Sequence, residues 1–242
     1  MNKFIGNLTK SFTLKLSSQE IYSKLIPSED LIRSLVRKAA NTTFTNGLIT
    51  NNKFLVFDTE TTGFRADLGD EIISISGVVL EAGEITAMVF DALVNPYRSI
   101  PRRITNLTGI TNEMVASKPN ILDALDQFLS FAHDTILVAH HAAFDLSFIN
   151  HKLQKYCSTE LHIPVIDTCS LAKALIPFLP RYDLDSLITY FDLTSSGRHT
   201  SLGDSIITAK VLKNLIDIAN SKGLFNLSDL IALQTDKKSI SL

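Results

Sequence analysis

Cysteine is scarce: only Cys157 and Cys169 occur in 242 residues, and they form neither a disulfide framework nor a metal-ligand spacing. A reducing compartment, the cytoplasm, is therefore expected. No apolar run reaches the roughly 18 residues that suggest a membrane span, so neither a transmembrane segment nor a membrane partner is expected. The N-terminus lacks the compact apolar core and small-residue cleavage site of a secretory leader. Internal repeats and low-complexity tracts are missing as well. So is a surplus of positive charge in the larger part of the chain. Residues 51–242 hold 16 Lys and Arg against 22 Asp and Glu, which excludes a general polyanion-binding surface there. If this part handles nucleic acid, metal ions and local contacts must supply much of the attraction.

What is present is a large apolar complement, 45% of residues with 14 Phe, enough for a sizeable core. Residues 1–50 stand apart as a helical N-terminal appendage, with seven Lys and Arg against three Asp and Glu, a net of +4. Ser17 and Glu20 have capping-box spacing, and Ile21 and Leu25 follow at i, i+4. Leu31, Ile32, Leu35, Val36 and Ala39 form one helical stripe, with Arg33, Arg37 and Lys38 elsewhere. The polar stretch TTFTNGLITNNK then reads as a linker or turn. Such an appendage either packs on the main domain or uses its basic stripe to dock on a partner or a membrane surface.

From residue 51 onward the pattern is that of a second domain, 51–242. FLVFDTE, IISISGVVL and ITAMVFDALV are β-rich, with EAGE a hairpin turn between the last two. Helical patterns follow at 111–116 and 120–132, the short strand TILVAH, and a helix FDLSFINHKLQKY with Phe144, Phe148, Ile149 and Leu153 inward. PVIDT is another short strand, and helices are expected near 168–176, 184–191 and 202–220, with a final helix and a frayed end in FNLSDLIALQTDKKSISL. A three-strand meander followed by alternating helix and strand gives an α/β domain, a mixed sheet flanked by helices.

Two carboxylates interrupt the first strand. Side chains two apart on a strand point the same way, so Asp58 and Glu60 aim their charges at one spot. Like charges held that close repel and are costly to desolvate, so something positive belongs between them. Asp145 follows the strand TILVAH where a helix begins, and Asp204 lies near the start of the late helix with His199 five residues before it. Strand ends and helix starts are where α/β sheets present functional groups. Taken alone, either Asp reads as a helix cap. Together, four carboxylates and one histidine suit two hard divalent cations, Mg²⁺ or Mn²⁺, which prefer oxygen ligands. Such a pair, about 4 Å apart, clamps the attacking and leaving oxygens of a phosphodiester displacement. Histidine as a residue type titrates near neutrality, so His199 suits the role of general base.

FDTETTGF, AHHAAFDLSF and RHTSLGDS, in that order, resemble the three motifs of the DEDDh 3′–5′ exonuclease superfamily. The similarity is greatest to the branch of bacterial DNA polymerase III proofreading (epsilon) subunits and their free-standing relatives. It covers about residues 53–216 and includes GDEIISISGVV, VNPYRSIP, LTGIT, VIDT and LDSL. The resemblance implies an RNase H-like mixed five-stranded sheet flanked by helices. It also implies that Asp58, Glu60, Asp145 and Asp204 hold two metal ions and that His199 is the general base. The backbone around Thr61, Thr62 and Gly63 would cradle the 3′-terminal nucleotide. Phe64 and Leu107 would wedge its base, and His140 and Phe144 would line the same pocket. Aromatics beside the carboxylates suit base stacking on their own account, although Phe148 reads better as core.

Two positions depart from the family pattern. His141 stands where close relatives usually have Asn, and Thr108 where they have His, which bears on nucleotide grip rather than on hydrolysis. The implied activity is two-metal hydrolysis at a single-stranded or frayed 3′ end, releasing nucleoside 5′-monophosphates. DNA is favoured, because DTETTG matches the DNA-acting branch better than the oligoribonuclease branch. RNA 3′-end trimming is the second reading. A catalytically silent nucleic-acid-binding or scaffold module is the third, and the intact set of five catalytic positions opposes it. The resemblance allows association with a polymerase, but no clamp-binding peptide is recognisable after residue 216.

Overall fold

The computed structural model describes residues 29–40 and 47–235. The helix expected at 17–25, part of the expected linker, and the chain end after 235 lie outside the described residues. Five strands form one mixed sheet: β1 (Lys53–Thr61), β2 (Ile72–Glu81), β3 (Glu84–Leu93), β4 (Ile136–Ala139) and β5 (Val165–Asp167), in the order β3-β2-β1-β4-β5. The first three pair antiparallel, whereas β4 runs parallel to both β1 and β5.

β1 is the central strand, and its alternation divides the core in two. Leu55 and Phe57 enter one apolar cluster, and Phe54 and Val56 enter the other on the opposite face. The first cluster is closed by α4 (Ile121–Phe131) and α5 (Ala143–Cys157), through Leu125, Phe128, Phe148 and Leu153. The second is closed mainly by α6 (Thr168–Leu175), α7 (Leu184–Tyr190) and the 21-residue α8 (Ser201–Ser221). At its start α8 meets β2 through small polar residues. Ser201 Oγ lies 2.5 Å from Ser74 Oγ and 2.6 Å from Ser76 Oγ, so these buried hydroxyls satisfy one another.

The amphipathic α1 (Glu29–Ala40) places Ile32 and Val36 in the first cluster. Arg33, on the flank of that stripe, donates from Nε to the carbonyl of Cys157 at 2.7 Å. It thereby satisfies an otherwise orphaned acceptor where the dipole of α5 is negative. Leu48 bridges to Asn226, ahead of α9 (Leu227–Thr235). Gln234 of α9 then accepts from Asp167 N at 3.0 Å and donates to Val165 O, covering the edge of β5.

One segment to which no element was assigned is helical. Residues between Pro101 and Gly109 form α2 (Arg102–Thr108), followed by α3 (Asn112–Val115). Its buried face is only Ile104 and Thr108, too short a stripe to register as periodic.

The turn after β1 is built on α5. Lys152, 1% exposed, reaches Glu71 Oε2 at 2.5 Å, and Glu71 exchanges backbone and hydroxyl hydrogen bonds with Thr62. Removing one member of a buried pair strands the other. Lys152→Met should therefore cost about 3–5 kcal/mol of folding stability by urea denaturation, and adding Glu71→Gln should recover part of it. A single-variant loss below about 1 kcal/mol would show a solvated pair without structural weight.

Candidate active site

The end of β1 presents Asp58 and Glu60 on the face covered by α8, whose first turn brings Asp204 to them. One carboxylate oxygen from each of these three lies within 4.8 Å of the others. Asp145, in the first turn of α5, comes from the opposite face and is tied in by the residue between the first two. Its Oδ1 accepts from Thr59 N at 3.0 Å and from Thr59 Oγ1 at 2.6 Å. It lies outside the three-residue cluster, yet its charge is the largest charge effect felt at Asp58, after the cost of burial.

Burial and mutual repulsion act together on these acids. Asp58 is pushed well above the ordinary carboxylate range by burial first, then by Asp145, Glu60 and Asp204. Glu60 is raised to about 7 by burial and by Asp204 and Asp145. Asp145 is also raised to about 7, mainly by burial, with its bonds to Thr59 pulling the other way. Asp204 divides its oxygens. Oδ2 accepts from Arg198 Nη1 at 2.5 Å and from His199 N at 3.3 Å, whereas Oδ1 is buried with no hydrogen-bond partner. An orphaned buried carboxylate oxygen beside two more acids is a fit for a hard cation.

His199 is joined to the set by its backbone. Its φ of +64° is left-handed, a conformation uncommon away from glycine. The segment before α8 is pinned at Gly203, where a Cβ would meet the Gly197 carbonyl oxygen at 1.9 Å. Arg198 was not among the residues read from the sequence. The only signal for it in the sequence is the general need for positive charge among the acids, which metal ions also meet. Thr59 and Lys152 were missed likewise, hidden within a strand motif and a helical stripe.

The expected nucleotide-contact residues divide. Thr61 and Thr62 are buried, with Thr61 Oγ1 donating to Gly63 O and Thr62 N donating to Glu71 O. A Cβ at Gly63 would meet the Asp70 carboxylate at 2.2 Å, so a larger residue there would displace that side chain. That carboxylate accepts from Thr62 Oγ1 and Arg65 N and holds the turn. Phe64 is 70% exposed and packs against Phe144, their ring centroids 6.2 Å apart, and Leu107 is also exposed. Phe148 is fully buried in the core. Thr108 offers no free hydroxyl: it is buried, donating to Ile104 O and accepting from Ile110 N. His140 faces α6, its Nδ1 2.9 Å from Thr168 Oγ1, with burial lowering its pKa to about 4. Its ring packs against exposed His141, itself at a φ of +59°.

The raised carboxylates set a pH dependence. Folded Glu60 and Asp145 bind a proton up to about pH 7, whereas unfolded carboxylates release theirs near pH 4. Between those values the folded chain holds more protons, so their contribution to stability is lost as pH rises through the window. Metal-free protein should melt lower at about pH 8 than at about pH 5.5. Mg²⁺ or Mn²⁺ should restore stability at the higher pH and do little at the lower, since ligation needs ionised carboxylates. Calorimetric melting would measure both, and a metal effect equal at the two pH values would contradict the assignment.

Comparison with known proteins gives the family. The Exonuclease family (RNase_T) matches residues 55–212. The DNA polymerase III subunit epsilon of Aquifex aeolicus is 36% identical over 164 residues, 68% of this chain and 80% of that protein. A DNA polymerase III subunit epsilon-like protein of Rhodobacter capsulatus is 38% identical over 174 residues, 71% of this chain. A PolC-type DNA polymerase III of Thermotoga maritima is 36% identical over 181 residues, 75% of this chain. The chain spans only 25% and 13% of those last two proteins. Among solved structures, exonuclease X in complex with 5′-overhanging duplex DNA has a TM-score of 0.58 at 27% identity, covering 75% of this chain and 99% of that one. The nuclease domain of 3′hExo, a DEDDh family member bound to rAMP, shares the fold at a TM-score of 0.62 and 17% identity, over 71% of this chain and 94% of its own. With a family domain matched over most of the chain and a well-covered epsilon relative, this chain belongs to the Exonuclease (RNase_T) family and is similar to the DNA polymerase III epsilon subunits.

Proposed function

We propose that the chain is a 3′–5′ exonuclease that hydrolyses the terminal phosphodiester of DNA with two divalent cations and releases nucleoside 5′-monophosphates. The observation that carries the reading is the buried, partnerless Oδ1 of Asp204, lying with Asp58 and Glu60 in an all-oxygen donor set. Asp58, Glu60, Asp145 and Asp204 would hold the ions. Bound there, the ions would lower the pKa of water and offset charge on the transferring phosphoryl group. His199 would accept the proton of the attacking water as the bond from phosphorus to the 3′ oxygen breaks. The turn from Thr61 to Gly63 would receive the terminal nucleotide, with Phe64, Phe144 and Leu107 against its base. Thr108 would support that pocket from behind, given its internal bonds, whereas His140, held at Nδ1 by Thr168 and with its buried Nε2 unpartnered, would line it.

DNA is preferred as substrate because the well-covered relative, from Aquifex aeolicus, carries a DNA polymerase III name. The second reading, RNA, is favoured by a structural neighbour described as recognising the 3′ end of a histone mRNA stem-loop. End-labelled single-stranded DNA, mismatched duplex and RNA, each with Mg²⁺ or Mn²⁺, would separate them. DNA should be shortened from the 3′ end faster than RNA, and the reverse order would select the second reading. We also propose that residues 1–50 are an appendage to the nuclease domain, joined to it through Ile32 and Val36 of α1, with the segment's net +4 set against the domain's net −6.

Two substitutions test the assigned roles. Asp58→Ala should abolish nuclease activity and remove most of the metal-induced rise in melting temperature. His199→Ala should slow turnover by about 10²–10⁴ while leaving that rise nearly intact, because imidazole is not among the proposed ligands. Wild-type turnover in His199→Ala would remove the histidine from the mechanism.

A further inference from the structure

The carboxylates at the end of β1 already have a cation beside them, and the chain supplies it. The Arg198 guanidinium bridges two acids from different helices. Nη1 donates to Asp204 Oδ2 at 2.5 Å, and Nε donates to Asp185 Oδ1 of α7 at 2.7 Å. Side-chain exposure is 10% for Asp204, 17% for Arg198 and 67% for Asp185. One end of the fork is therefore inside the site and the other at its rim.

We propose that Arg198 is a resident counter-ion of the metal site. It neutralises Asp204 while no divalent ion is bound, competes with the ion for the carboxylate set, and is drawn toward Asp185 when the ion enters. This inference rests on the metal-site reading above and goes beyond it by naming the residue that limits metal affinity.

The charge of Arg198 reaches past its own bond: it opposes the repulsion at Asp58 and at Glu60. The backbone that carries it has little room to withdraw, with Gly197 pressed on Gly203 and His199 in a left-handed conformation. Release must come from the side chain, and Asp185 is the second acceptor already in place. A different role would be to orient Asp204 for the metal, in which case losing Arg198 would weaken binding, typically about 10–100-fold for partners behind a ligand. His199 N also holds Asp204 Oδ2 and survives substitution of Arg198. A positive charge one carboxylate away from a divalent ion, in a poorly solvated site, repels it strongly. Repulsion therefore outweighs lost orientation, and the sign of the effect is tighter binding.

Calorimetric titration of Mg²⁺ and Mn²⁺ into the metal-free full chain tests this with Arg198→Gln, Arg198→Lys and Asp185→Asn, each checked for folding by circular dichroism. Arg198→Gln should bind divalent ions about tenfold more tightly, the lower end of the scale on which groups behind a ligand act. Arg198→Lys, which keeps the charge, should stay near wild type. Asp185→Asn should bind more weakly, because the guanidinium loses its outer acceptor. An unchanged or weakened affinity in Arg198→Gln, or a shift of Arg198→Gln and Asp185→Asn in the same direction, overturns the proposal. If wild type binds the ions but the variants titrate identically, this inference alone fails. If wild type binds no divalent ion, the metal-site reading fails with it.

Discussion

Acidic groups drawn together out of water resist their own ionisation, and the arrangement around the end of β1 answers that resistance. Asp58 and Glu60 are brought to one point by strand geometry, and Asp204 and Asp145 are delivered from opposite faces of the sheet. Nothing in this set would be stable as an isolated surface patch, because flexible carboxylates would turn away from one another into solvent. They stay together because each is rooted in an element whose apolar side is locked in one of two cores. The packing energy of the domain holds the charges at short range.

The restraint extends to single atoms. Asp145 has one oxygen occupied by Thr59, and Asp204 has one occupied by Arg198 and the His199 amide. In each case a carboxylate that could rotate freely is committed on one side, and in Asp204 this leaves Oδ1 buried without a partner. The turn that follows β1 is treated in the same way. Asp70 and Glu71 hold its hydroxyl and amides, and Lys152 holds Glu71 from beneath. Preorganisation of this kind lowers the reorganisation needed when charge changes during a reaction.

Much of this could be read from the chain itself. The two-residue period of strands predicts that Asp58 and Glu60 converge, and apolar stripes locate α4 through α8 with small errors at their ends. Periodicity fails where a stripe is short, as in α2, or where a polar residue occupies an apolar position, as Lys152 does four residues after Phe148. Arg198 escaped for another reason. Its placement is set by the backbone conformations of Gly197 and His199 and by an acid on a different helix, none of which leaves a spacing in the sequence. Thr108 shows the converse: a motif position predicts proximity to a site, but not whether the hydroxyl is already bonded to its own scaffold.

The split of β1 between two cores has a consequence for how the chain can vary in length. Inserting or deleting one residue within β1 would exchange the faces of every side chain beyond that point. The carboxylates would then rotate to the wrong side of the sheet while Leu55 and Phe57 traded cores with Phe54 and Val56. Because β1 is paired on both edges, the error could not be absorbed by a free margin. Divergence in this lineage should therefore accumulate length changes in connections such as the turn between β2 and β3, while β1 keeps its residue count and tolerates only substitutions that preserve the parity of its pattern.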